Sequence, residues 1–299
     1  MRILTRGDMD GLTSAVFLTM VENIREVRFA HPKDVQDGKV PCTEEDIVVN
    51  LPFVPGCGMW FDHHVTEEEK SRHLGEFRGS FAVAPSTARV IYDFYKEKRA
   101  QFDRFKELLE ATDKVDAGQL TQEEITVPKG WILLGLTLDP RTGLGPEFRK
   151  YFRWLVEYVK EVSIEKILQH REVAKRCERV LAEQARFKQV LKSHARAHGH
   201  VVVTDLRGVK DLPVGNRFLV FTLFPECNVE MRVFHGLGDT TVVAIGHSIF
   251  NRTCKVNAGE LTVKYGGGGH KGAATCQLGP DIAERGIAEI LAILKANQG

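Results

Sequence analysis

A chain of 299 residues that is 43% hydrophobic and 27% charged has the composition of a soluble globular protein with room for two ordinary domains. With 41 Lys and Arg against 40 Asp and Glu the formal charge is +1. That excludes the basic excess needed to hold long nucleic acid unspecifically, so anion binding must be local. The six cysteines are scattered without a Cys-x-x-Cys pair, and no apolar run approaches the ~18 residues of a membrane span. Free thiols in a reducing compartment are expected, and the chain reads as cytoplasmic.

Arg2 to Thr5 reads as a short strand, broken by Arg6-Gly7-Asp8-Met9-Asp10-Gly11 before Leu12, Ala15, Val16 and Met20 begin a helical period. An irregular loop can turn Asp8 and Asp10 toward one point, as a hard divalent cation requires of oxygen ligands. The competing reading makes Asp10 a helix cap. Further strands near Val27 to Ala30 and Ile47 to Val49 also end in polar residues, the latter at Asn50. The apolar Met59-Trp60-Phe61 then runs into Asp62-His63-His64. Ligands collect beyond the carboxyl ends of strands in open α/β sheets, so ionisable groups starting where apolar strands stop mark a site.

Pro85-Ser86-Thr87 carries helix-start signals. A later amphipathic helix through Phe102, Phe105, Leu108 and Leu109 gives way to Ala111–Gly118, where small residues surround Asp113 and Asp116. From Glu147 to about His198 the pattern is helical, interrupted near Ser163. After Gly199 short β-type runs are expected at Val201–Thr204, Phe218–Leu223, Val229–Phe234 and Thr241–Ile245, with Leu261–Tyr265 also strand-like. Ser248, Asn251 and Arg252 gather polar groups. The run Gly266-Gly267-Gly268-Gly269 before His270 can expose backbone N–H groups in a nest suited to phosphate. A closing helix follows Pro280-Asp281.

Taken together these stretches resemble the DHH phosphoesterase superfamily, in its two-domain branch with a DHHA1 C-terminal domain. RecJ-type exonucleases, nanoRNases and exopolyphosphatase-like proteins belong to that branch. The pairing of Asp62-His63-His64 with Gly267-Gly268-Gly269-His270 carries the resemblance. It implies an α/β fold: a parallel-sheet DHH domain (1–155), a helical connector (156–198), and a smaller mixed α/β DHHA1 domain (199–299). The family's first motif, His-x-Asp-x-Asp-Gly, stands here with Arg6 in place of the histidine. Its second motif has Asn50 where an aspartate bridges two metals.

By the same resemblance Asp8, Asp10 and His63 are metal ligands. Asp113 fits the remaining ligand best, with Asp116 the close alternative. Asp62 orients an imidazole, and His64 is a substrate-side or supporting residue. Asn50, Arg252, Gly267, Gly268, Gly269 and His270 are expected to meet the substrate. The implied reaction is hydrolysis of a phosphoester or phosphoanhydride in a short oligonucleotide, a dinucleotide or polyphosphate. Neither a membrane nor long duplex DNA is expected as partner, and homo-oligomerisation is left open. The expected cofactor is Mn2+, with Mg2+ second. Arginine offers only donors and Asn50 a neutral oxygen, so one ion rather than two is expected, on Asp10, His63 and Asp113 or Asp116, with Arg6 toward the substrate phosphate. The opposing expectation is a phosphate or nucleotide sensor that kept the fold and lost catalysis.

Overall fold

The computed structural model describes residues 1–298, Thr142 by its backbone alone; Gly299, the last residue of the expected second domain, lies outside them. The chain divides into two compact units, Met1–Leu120 with Pro128–Arg179, and Thr121–Val127 with the residues from Val180 onward.

In the first unit, β1 (Arg2–Thr5), β2 (Glu26–Phe29), β3 (Asp46–Val49), β4 (Met59–Asp62) and β5 (Gly79–Phe81) form one sheet in the order β2-β1-β3-β4-β5. Every neighbouring pair is parallel. β3 and β4 are buried along their whole length, which is why they are almost entirely apolar rather than alternating. Successive residues of β4 face opposite layers. Trp60 packs on Phe53, Phe77 and Phe81 and donates from Nε1 to Leu51 O at 2.9 Å, while Phe61 meets Phe94 and Tyr95. Fully burying a side chain such as Phe61 contributes about 3 kcal/mol.

The register pairs Thr5 with Val49 and Val49 with Phe61. The residues that follow β1, β3 and β4 therefore leave the sheet along one edge. At the opposite end Arg2 clasps Asp46, with Nε on Oδ1 and a terminal nitrogen on Oδ2, both at 2.8 Å. Burial works to raise the Asp46 carboxyl, but the Arg2 guanidinium and Thr43 outweigh it and hold it below its usual range.

The Met9–Val21 helix is buried from Met9 to Leu18 and packs on the Thr87–Phe94, Lys106–Asp116 and Pro146–Glu161 helices. Asp8 caps it by accepting Gly11 N–H at 2.9 Å. A Cβ at Gly11 would lie 2.2 Å from Arg6 O and 2.8 Å from Thr5 Oγ1, so only glycine fits the sharp entry from β1.

In the second unit β6 (Ala195–His198), β7 (Val201–Asp205), β8 (Val229–His235), β9 (Thr241–His247), β10 (Gly268–His270) and β11 (Ala273–Leu278) form a mixed sheet ordered β10-β11-β9-β8-β7-β6. Only β7 and β8 run parallel. Its core joins Met231, Val233, Val243, Ile245 and Leu278 to Ile290 and Leu294 of the Ala283–Ala296 helix.

The architecture is the expected α/β arrangement of a parallel sheet and a second, mixed one. Three local expectations are corrected. The helical pattern read to His198 stops at His194, and Ala195–His198 is a strand. Phe218–Leu223, read as β, contains the short Leu219–Leu223 helix, since a brief apolar run has no periodicity to tell strand from helix. Leu261–Tyr265, read as strand-like, overlaps the Ala258–Val263 helix, which Asn257 starts by accepting Glu260 N–H at 3.3 Å while donating to Glu260 Oε1 at 2.7 Å.

Candidate active site

Asp10 enters the first turn of the Met9–Val21 helix with its side chain wholly buried. Its Oδ2 accepts Thr87 N–H at 2.9 Å and its Oδ1 accepts Ala88 N–H at 2.8 Å. The carboxylate thus sits on the amino end of the Thr87–Phe94 helix, where backbone donors and the helix dipole suit an anion. Burial, aided by Asp116, pushes its carboxyl up to about 7.

His63 follows directly from β4. Its Nδ1 lies 2.9 Å from Ala84 O, a contact that requires the proton on Nδ1 when the ring is neutral. Nε2 is thereby turned to the carboxylates, 2.9 Å from Asp116 Oδ2 and 3.9 Å from Asp10 Oδ2. The Asp116 contact is short, yet Nε2 is a buried atom without an aligned hydrogen-bond partner. Short separation without alignment is what two ligands converging on a common point display. Burial pulls the imidazole down, but Asp116 and Asp10 outweigh it and push it up to about 10. Asp116, on the last turn of the Lys106–Asp116 helix, is lifted by burial and lowered by more through His63, His64 and Arg6, and ends below its usual range.

Ligand atoms of Asp10, His63 and Asp116 lie within 4.8 Å of one another. Two carboxylates and one imidazole, with the second ring nitrogen anchored to a carbonyl, fit a divalent cation. Buried polar atoms without partners also cluster along this strand edge: Thr5 Oγ1, Asn50 Oδ1, Asp62 Oδ2, His63 Nε2 and Thr87 Oγ1. Such atoms are costly inside a fold unless a ligand, ion or water satisfies them.

Asp8, expected as a metal ligand, stands outside the Asp10, His63 and Asp116 group. Its Oδ1 accepts from Gly11 N at 2.9 Å and Asn50 Nδ2 at 3.0 Å, and Oδ2 pairs with Arg6 Nε at 3.2 Å. Three donors already occupy the carboxylate. Burial pushes it above its usual range against the pull of Arg6. Asn50 is 1% exposed and holds a left-handed backbone at φ 56°, a conformation asparagine tolerates better than most residues. Its side chain meets Asp8.

Asp62 is wholly buried and its Oδ1 lies 2.7 Å from His64 Nδ1. That fixes the second imidazole, whose side chain is 37% exposed. Asp62, His63 and His64 form a second close group of ligand atoms, in which this Asp62–His64 pair is already made.

The two alternatives Asp113 and Asp116 stand in different surroundings. Asp113 Oδ1 accepts Ser86 Oγ at 2.6 Å, and Oδ2 accepts Arg89 Nε at 3.0 Å and a terminal Arg89 nitrogen at 2.6 Å. Asp116 is the one beside His63. The sequence reading missed Ala84 O, the Thr87 and Ala88 amides, and Arg89. The Pro85-Ser86 helix start was the one available signal for them, because backbone amides and carbonyls leave no residue type to read.

In the second unit, Gly268 and Gly269 of the glycine run lie in the edge strand β10. The amides of Gly266 and Gly267 donate to Val263 O and Thr262 O at 3.0 and 2.9 Å, closing the preceding helix. A Cβ on Gly267 would lie 2.2 Å from Thr275 O, and one on Gly269, at φ 153°, 2.4 Å from Ala273 O. Gly266, at φ 71°, and Gly268 have nothing within 4 Å of a Cβ. His270 Nδ1 accepts Gly272 N–H at 3.2 Å, and Arg252 Nε donates to Ile249 O at 3.1 Å.

No family model and no curated protein sequence matches the chain. Among solved structures it is similar to PggH, a pGpG-specific phosphodiesterase from Vibrio cholerae, at 36% identity over 99% of each chain with a TM-score of 0.85. An exopolyphosphatase-related protein from Bacteroides fragilis matches at 12% identity over 100% of this chain and 93% of that one, TM-score 0.53. RecJ from Thermus thermophilus in complex with Mg2+ matches at 16% identity and TM-score 0.55, over 99% of this chain and 50% of the larger exonuclease. These last two share the fold. With strand-edge carboxylates around Asp62-His63-His64 and a relative of this identity along its length, the chain belongs to the DHH/DHHA1 phosphoesterase superfamily.

Proposed function

We propose that the chain is a metal-dependent phosphoesterase that hydrolyses short linear nucleotides, and that a dinucleotide of the pGpG kind is its preferred substrate. The convergence of Asp10, His63 and Asp116 on one point carries the reading, and the likeness to PggH supports the substrate class. The near-zero net charge also favours a short substrate over a long polyanion.

Asp10, His63 and Asp116 would hold a divalent ion, which would supply Lewis acidity toward water and positive charge against the phosphoryl oxygens. Mn2+ suits a mixed carboxylate and imidazole set better than Mg2+, which prefers oxygen alone. One ion is proposed, because Asp8 is held by Arg6, Asn50 and Gly11. Ala84 O sets the His63 tautomer, and the Thr87 and Ala88 amides keep Asp10 in place. Asp62 holds His64 by Nδ1, leaving Nε2 as the atom that meets a substrate oxygen. Arg6, paired with Asp8 through Nε, directs its terminal nitrogens to the phosphate as positive charge in place of a second ion.

Hydrolysis of pGpG adds one water and releases two GMP. Turnover with Mn2+ is expected, abolished by EDTA, and lowered by more than about 100-fold in Asp116→Asn, since removing a ligand costs at least what removing its outer partner does. The capture of Asp8 favours one competing reading, a nucleotide sensor. Tight pGpG binding without any GMP release would establish the sensor and end the enzymatic proposal.

A further inference from the structure

The Asp113 side chain is only 13% exposed, yet it stands outside the Asp10, His63 and Asp116 group. Two routes tie it back to that group. Through Ser86 Oγ, at 2.6 Å, it reaches the residue that caps the Thr87–Phe94 helix by accepting Arg89 N–H at 3.0 Å. The first amides of that helix hold Asp10. Along its own helix, Asp113 precedes Asp116 by three residues, so both belong to one turn. The adjoining Thr112 pins the same turn to the Met9–Val21 helix, which carries Asp10, by a buried hydroxyl contact of 2.7 Å to Thr13.

We propose that Asp113 is a positioning residue for the divalent-ion site, fixing the separation of Asp10 and Asp116 through Ser86 and Arg89. This rests on the metal-dependent reading above. The physical reason is that Asp10 and Asp116 come from different helices that no covalent link holds in register. A carboxylate bonded to a guanidinium and a capping hydroxyl is a strong, directional tie between them. Partners of this outer kind change metal affinity by about 10- to 100-fold when removed.

The test is calorimetric titration of the full chain with Mn2+, using Asp113→Asn, Ser86→Ala and the double variant, with Asp116→Asn as the ligand control. Thermal unfolding in EDTA runs alongside. Asp113→Asn is expected to weaken Mn2+ binding about 10- to 100-fold, with pGpG turnover at saturating Mn2+ within about threefold of the unaltered chain. Ser86→Ala, which keeps the Asp113–Arg89 pair, should also weaken binding and keeps the test decisive if Asp113→Asn does not fold. The double variant should lose little beyond Asp113→Asn, since the two lie on one path. A lowered melting point in EDTA with unchanged Mn2+ affinity makes the role merely structural and overturns the proposal. So does a loss as complete as that of Asp116→Asn, which would make Asp113 a ligand. Failure of the unaltered chain to bind Mn2+ removes the metal-dependent reading and this inference together, whereas normal affinity in Asp113→Asn and Ser86→Ala removes this inference alone.

Discussion

Asp8 and Asp10 are two residues apart on the same loop, and their neighbours give them opposite tasks. Asp10 receives two backbone amides that leave its oxygens near His63, while Asp8 is surrounded by Arg6, Asn50 and Gly11. The sequence made Arg6 and Asn50 legible as departures from the family pattern, and from their chemistry alone came the expectation of one ion. It did not show that the same two residues would close on Asp8, because that contact joins the ends of β1 and β3. The choice between Asp113 and Asp116 was equally hidden. Both lie on one turn of one helix, and which of them meets His63 depends on how that helix rolls against its neighbours. Asp46 shows a buried carboxylate with a purely structural task at the other end of the sheet. Its folded carboxyl is held below its unfolded value of about 3.9, so its stabilisation is fully present above that value and is lost as pH falls through the folded one. Asp46→Asn is expected to cost about 2 kcal/mol at pH 7, the worth of a hydrogen bond to a charged group. Urea unfolding at pH 7 and pH 3 checks this, and the gap between variant and parent should narrow at the lower pH.

Elements were legible where periodicity or a strand end spoke clearly. β3 and β4 read correctly because a parallel strand buried on both faces is a short apolar block, and the Ser86 start read correctly because its cap is a local signal. The Leu219–Leu223 and Ala258–Val263 helices did not, being single short segments whose apolar residues fit either period. The glycine run was recognised as unusual, but much of its reason is packing. Gly267 and Gly269 let β10 lie against β11, and the Gly259 Cβ position is itself only 2.9 Å from Gly269 O. Gly267→Ala is therefore expected to destabilise the second unit by on the order of 2 kcal/mol through overpacking against backbone, whereas Gly268→Ala, with open space around it, should leave stability nearly unchanged. Chemical denaturation of the two variants measures the contrast. Equal losses would mean that the run acts through backbone freedom alone.

At the scale of the whole molecule, composition limited the kind of partner and the family resemblance supplied the architecture. The fold then placed the ends of β1, β3 and β4 on one edge, so that residues far apart in sequence share one site. No helix among the described residues is long and apolar enough to cross a membrane. The number of divalent ions bound along this edge, and the side chains that hold them, separate the one-ion proposal from its alternatives. Anomalous scattering from crystals of the unaltered chain grown with Mn2+ measures both directly. The expected result is one manganese peak per chain, bonded to Asp10, His63 Nε2 and Asp116, with Asp8 still on Arg6 and Asn50. Two peaks sharing Asp8, or one whose ligands are Asp8 and Asp113, would contradict it.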